Sequence, residues 1–269
     1  MKIISNKKKL IKILFNKKKI GFVPTMGAIH EGHMHLFRKS VTSCNKTVVS
    51  IYINKGQFNK TNDYKKYPRN LRRDISLIKS CNVDYLYLPT TKEIYPHGPS
   101  KKIKISPFAK KLCGKFRPGH FESVVDVVFR FLNIIKPNKI FLGKKDMQQL
   151  KVIEEFIIRN KINTKVIGCN IVRQKNGVPY SSRNFLLTKK NINIASKVYK
   201  LLLKYKMKAI KNKNILNKIK NKMKLAGVRK IDYVQLLNIN KLVKPFRKNK
   251  KYKIFVAYYL SSTRLIDNI

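Results

Sequence analysis

Ile20-Gly21-Phe22-Val23-Pro24-Thr25-Met26-Gly27-Ala28-Ile29-His30-Glu31-Gly32-His33 is the stretch on which the reading of this chain turns. A short apolar run, Ile20–Val23, is bounded by Pro24 and Gly27, and a helix-periodic segment follows from His33 to Ser43. The pattern is strand, glycine turn, helix start. Such a junction offers backbone N–H groups and the positive end of a helix dipole, which suits a chain of phosphates. Two imidazoles three residues apart, His30 and His33, then fall on one face of the first turn, where they can donate hydrogen bonds to phosphate oxygens as charge develops. The bland alternative is a pair of ordinary polar residues at a helix start. His35 would extend the pair to H-x-x-H-x-H, but no cysteine or well-spaced carboxylate offers a further metal ligand.

Working outward, the same alternation repeats. Val48–Ile53, Asp84–Leu88, Ile140–Leu142 and Val166–Val172 read as further strands, and His33–Ser43, Leu71–Ser80, Ser123–Ile135 and Met147–Asn160 as helices between them. Strands alternating with helices predict α/β architecture with a doubly wound parallel sheet over residues 1–174. From about Gln174 the pattern changes to two lysine-rich amphipathic helices and then strands near Tyr233–Leu237 and Tyr252–Leu260, a smaller α+β lid-like domain over 175–269. Lys7–Lys19 reads as a lysine-decorated helix packed on the first domain rather than a membrane-surface helix.

Composition bounds the function. The chain has 269 residues, 43% of them hydrophobic, enough for a real core. Its 62 basic and 12 acidic residues give a formal charge of +50, which by itself points to nucleic acid. The lysines are spread over every segment, however, together with abundant Asn and Ile, so the charge reads as surface load and not as one binding stripe. No specific nucleic-acid partner is expected. Cys44, Cys81, Cys113 and Cys169 lie far apart with no C-x-x-C pair, which fits a reducing cytoplasm and no disulfide framework. Lysines interrupt the apolar residues near the N-terminus, and no apolar run approaches the roughly 20 residues of a membrane span, so neither a signal peptide nor a membrane partner is expected.

Ligands of open α/β sheets bind where strands end, and three more strand ends carry unusual chemistry. After the second strand comes Asn54-Lys55-Gly56-Gln57-Phe58, with two amides able to bind a hydroxy-acid without adding charge, or to serve as plain turn residues. After the fourth comes Gly143-Lys144-Lys145-Asp146-Met147-Gln148-Gln149, a lysine for phosphate beside an aspartate that either caps the helix or binds the nucleotide. After the fifth comes Val178-Pro179-Tyr180-Ser181-Ser182-Arg183-Asn184, two hydroxyls and a guanidinium fit to clamp pyrophosphate, and alone no more than a common surface turn. No carboxylate pair is placed for acid–base work. Imidazole, lysine and phosphate positioning suit adenylyl transfer.

Pro24–His33, Tyr67-Pro68-Arg69, Arg117-Pro118-Gly119-His120-Phe121, Gly143–Leu150, Ser181–Asn184 and Thr263–Ile269 together resemble the bacterial pantothenate synthetase family, over essentially the whole chain. H-x-G-H alone is shared with many nucleotidyltransferases and class I aminoacyl-tRNA synthetases. The resemblance implies a Rossmann-like first domain, a small C-terminal lid, a cytoplasmic homodimer, and ATP with Mg2+ used to condense pantoate with β-alanine through a pantoyl adenylate. By position it implies an ATP site made of Met26, Gly27, Ala28, Ile29, His30, Glu31, Gly32 and His33. Gly143, Lys144, Lys145 and Asp146 join it, as do Val172, Tyr180, Ser181, Ser182 and Arg183. Asn54, Gln57 and Gln149 would hold pantoate, with Gln57 also near β-alanine. His33 would be the proton donor, and His30 and Lys145 further stabilisers of charge. The sequence departs from the family in two places. Asn54-Lys55-Gly56 stands where Asn-Pro is usual, and the acidic cluster after Tyr-Pro-Arg is reduced to Arg72-Arg73-Asp74, leaving Asp74 as the candidate metal ligand.

Overall fold

The structure is a computed structural model that describes residues 1–100, 103–242 and 250–269. The chain divides into two compact units, Met1–Lys144 with Gln148–Asn170, and Lys145–Met147 with Ile171–Ile269.

The first unit is built on six strands, β1 (Lys2–Ile4), β2 (Ile20–Thr25), β3 (Lys46–Ile51), β4 (Tyr85–Tyr87), β5 (Lys139–Gly143) and β6 (Lys165–Cys169). They pair in the order β1-β4-β3-β2-β5-β6, all parallel. The strand order reverses between β2 and β5, so the switch point of the sheet lies at the carboxyl end of β2. Helices α1 (Lys7–Leu14), α2 (Glu31–Ser43), α3 (Leu71–Lys79), α4 (His120–Ile135) and α5 (Met147–Arg159) accompany the sheet.

The central strands read as unbroken apolar runs because both of their faces are covered. Phe22, Val48 and Ile140 enter one core with Phe131 of α4 and Leu10 and Leu14 of α1. Val23, Val49 and Phe141 enter the other with Phe37 of α2 and Ile78 of α3. Gly21 is required by close approach: a Cβ there would lie 2.3 Å from Ser40 Oγ on α2. Pro24 is tolerated in a central strand because β5 pairs with β2 only at Gly21 and Phe22, so the missing N–H falls beyond that ladder.

β3 begins two residues earlier than its apolar run, since Asp84 holds Lys46 Nζ at 2.7 Å and accepts from the Thr47 amide at 2.9 Å. β6 stops at Cys169, so Val172 lies past the strand and not within it. β1, which the sequence reading lacks, is only three residues long. The basic N-terminal segment does form a helix on the first unit, but it ends at Leu14. Asn6 caps its start by accepting from the Lys9 amide at 2.9 Å.

The second unit packs α6 (Lys189–Lys211) and α7 (Ile215–Leu225) on an antiparallel sheet of β7 (Lys230–Asn238), β8 (Tyr252–Leu260) and β9 (Thr263–Asn268), in that order. Val198, Leu202, Ile219 and Met223 of the helices meet Val256 and Tyr258 of β8 in its core. β9 was not anticipated because charges interrupt its alternation. Those charges are paired: Arg264 Nε donates to Asp232 at 2.7 Å, and Asp267 receives two bonds from Arg173 at 2.7 and 2.8 Å. Among the described residues no helix is long and apolar enough to cross a membrane.

Candidate active site

At the end of β2 the chain makes the turn expected of it. Gly27 and Ala28 both take left-handed backbone angles, φ 78° and 51°, and α2 begins at Glu31 with His30 as its extended N-cap. Thr25 Oγ1 ties β2 to β3 by donating to Ser50 O at 2.7 Å. The two imidazoles meet as the spacing predicts, with ring centroids 4.0 Å apart and planes 24° off parallel, and His33 continues the stack onto Phe37 one turn along.

The turn does not offer its amides as the sequence suggested. Ala28 N and Ile29 N both donate to the Asp74 carboxylate at 2.8 Å, and Arg73 Nη1 bonds Ile29 O at 3.0 Å. Glu31 and Gly32 lie in the first turn of α2, whose amides have no intrahelical acceptor. Asp74 is 2% exposed, and its two oxygens, each taking one of the Ala28 and Ile29 amides, brace the turn from inside. Among the described residues no group of three or more His, Cys, Asp or Glu is arranged to hold a metal ion.

Asn54 and Gln57 lie on one short 3-10 turn, Lys55–Gln57, after β3. Asn54 is buried; its Nδ2 donates to Ser123 O at 3.1 Å and its Oδ1 accepts from Tyr95 Oη at 3.3 Å. Burial pushes the Tyr95 phenol well above its ordinary pKa, with Asp126 adding to the shift, so it remains a donor at any physiological pH. Gln149 is half-buried on α5, beside a glutamine of different work. Gln148 accepts from Cys113 N at 2.9 Å and donates to Lys111 O at 2.6 Å and Phe108 O at 3.1 Å, holding the segment before α4. Sequence reasoning gave Gln148 no role, and two adjacent glutamines on a helix carry no sign of which one turns inward.

After β5, Gly143 is followed by Lys144, whose Nζ donates to Asn170 Oδ1 at 2.8 Å. In the second unit, Lys145 has a side chain only 17% exposed, with Nζ 3.6 Å from Asp146 Oδ2. Its carbonyl accepts from Asn268 Nδ2 at 2.9 Å. Val172 pairs through its carbonyl with the Tyr180 amide at 3.1 Å, closing a loop that returns the chain to Ser181. The Ser181 hydroxyl caps the following turn by accepting from Arg183 N at 3.3 Å, and Ser182 is buried. Tyr180, Ser181, Ser182 and Arg183 are thus held together at the start of one 3-10 helix, Ser182–Leu186.

The first unit is thus an α/β protein built on a parallel sheet whose switch point ends in an H-x-G-H helix start. A model of the family described as pantoate-beta-alanine ligase matches residues 2–269. The pantothenate synthetase of Francisella tularensis subsp. novicida is 42% identical over 258 residues, covering 95% of this chain and 90% of that protein. A crystal structure of the Francisella tularensis pantoate-beta-alanine ligase, described as complexed with beta-gamma ATP and β-alanine, is 41% identical. It superposes with a TM-score of 0.87 over 100% of this chain and 97% of that one. A pantothenate synthetase from Thermus thermophilus reaches a TM-score of 0.92 at 30% identity, covering 100% and 99%. The chain belongs to the pantoate–β-alanine ligase family, and so is a ligase that joins those two substrates.

Proposed function

We propose that the chain condenses pantoate with β-alanine in two steps, with Met26–His33 and Gly143–Asp146 holding ATP together with Val172 and Tyr180–Arg183. The pantoate carboxylate attacks the α-phosphate, forming pantoyl adenylate and releasing pyrophosphate. The β-alanine amine then attacks the acyl carbon and AMP leaves. His30, His33 and Lys145 stabilise charge on the phosphates in the first step, with His33 also the proton donor, while Ser181, Ser182 and Arg183 hold the departing phosphates. Asn54, Gln57 and Gln149 bind pantoate through neutral amides. The observation that carries this reading is the stacked imidazole pair at the helix start that closes the sheet's switch point.

Residues 1–174 act as the Rossmann-like ATP- and pantoate-binding domain and 175–269 as the smaller lid. Magnesium enters as part of the substrate MgATP, in keeping with the engagement of Asp74 by backbone amides. The family resemblance supports a cytoplasmic homodimer, which sedimentation of the purified protein checks.

The half-reactions separate the roles. In Lys145→Ala and His33→Ala, pantoate-dependent exchange of pyrophosphate into ATP is expected to fall by about 100-fold or more, the usual loss for one preorganised donor. Preformed pantoyl adenylate is expected to restore much of the pantothenate yield. Normal exchange in both variants, or no rescue in folded protein, removes these residues from the roles given.

A further inference from the structure

Two of the three amides assigned to pantoate, Asn54 and Gln57, ride on a single 3-10 turn between Asn54 and Phe58, and this turn lacks the stiffening proline. Five hydrogen bonds tie it to the rest of the unit. Asn54 is bound to Ser123 O and Tyr95 Oη, and Asn59 Nδ2 donates to Pro118 O at 2.7 Å. Between them, the carbonyl of Gln57 itself is bonded twice, by Arg117 Nη2 at 2.8 Å and by His120 Nδ1 at 2.9 Å. Arg117 Nη1 and His120 Nε2 are 3.0 Å apart. The Gly119 turn, φ 75°, with His120 N bonded to Arg117 O at 3.2 Å, sets the two side chains next to each other at the start of α4.

Donor rules fix the state of this ring. A carbonyl only accepts and a guanidinium only donates, so Nδ1 carries the hydrogen and Nε2 presents its lone pair. His120, 7% exposed, is therefore the neutral Nδ1–H tautomer. Arg117 orients the ring and shares the Gln57 carbonyl with it. Two fixed bonds on one carbonyl set the plane of the peptide that follows Gln57, and with it the place from which the Gln57 side chain departs.

We propose that His120 and Arg117 are positioning residues for pantoate, clamping the backbone of Gln57 so that its side chain meets the substrate. The proposal rests on the reading of Gln57 as a pantoate ligand. Neither residue touches the reacting atoms.

The test compares steady-state KM for pantoate and for ATP in Gln57→Ala, His120→Asn, His120→Gln and Arg117→Ala. An asparagine places its N–H near the position of Nδ1, whereas a glutamine reaches toward that of Nε2. His120→Asn is expected to keep the pantoate KM within about threefold. His120→Gln and Arg117→Ala are expected to raise it about five- to tenfold, the loss of a hydrogen bond to the clamp, with the ATP KM little changed. Arg117→Ala, at a half-buried site, keeps the test decisive if a His120 variant folds poorly. If Gln57→Ala raises the pantoate KM while Arg117→Ala and His120→Gln leave it alone, or raise both KM values equally, the clamp is overturned and Gln57 keeps its role. If Gln57→Ala leaves the pantoate KM unchanged, the underlying assignment fails and the clamp with it.

Discussion

The carboxylate of Asp74 occupies two amides of the turn that ends the central strand, Ala28 N and Ile29 N, each at 2.8 Å. In Asp74→Asn one oxygen is replaced by an N–H that faces another N–H, so a buried donor loses its acceptor and a second is repelled. The expected cost is about 1–3 kcal/mol, read as a lower melting temperature, together with a rise in the KM for ATP larger than that for pantoate. An unchanged melting temperature and ATP KM would show that the brace is dispensable. His30 and His33 were legible because helical spacing alone puts them on one face. Asp74 was visible as a residue but not in its role, because the amides it serves are 45 and 46 positions away. Arg117 and His120 stood in a motif without a function attached. Their partner is a main-chain carbonyl, which no side-chain pattern announces.

Among the elements, the 3-10 turn Lys55–Gln57 is the one whose stiffness the sequence put in question. Lys55 opens it, and Asn54 before it has φ −76° and ψ 103°, in the extended region that a following proline requires. Lys55→Pro is expected to stabilise the protein by about 0.4–1 kcal/mol, chiefly by narrowing the unfolded ensemble, with pantoate KM unchanged or lower. A fall in melting temperature would mean that the Lys55 N–H does necessary work. Long elements such as α2, α4, α5 and α6 were legible because their apolar period runs for three turns or more. The short edge strand β1 and the charged strand β9 were not: one offers too few residues for a period, and the other hides its strand pattern behind ion pairs made within the unit.

Over the whole molecule, 12 acidic residues stand against 62 basic ones, and half of the acidic ones are taken up by partners within the fold. Asp74, Asp84, Glu93, Asp126, Asp232 and Asp267 are bound to amides, lysine or arginine, most of them far along the chain. Lysine repulsion on the surface is thus largely uncompensated. Raising ionic strength from dilute buffer to physiological salt is expected to raise the melting temperature by screening it. A flat or falling melting temperature would mean the lysines are not repelling one another in the folded state. The hydrogen bond from Asn268 to the Lys145 carbonyl has a consequence in time. The main chain of the lysine proposed to act on the phosphates is held by a residue 123 positions later in the chain. At about 5–20 residues per second, synthesis reaches that partner on the order of 6–25 s after Lys145 is made. The parallel sheet can assemble in that interval, but the segment bearing Lys145 gains this anchor only once Asn268 has been made, so a nascent chain can hold the fold of the first unit before Lys145 is fixed in place.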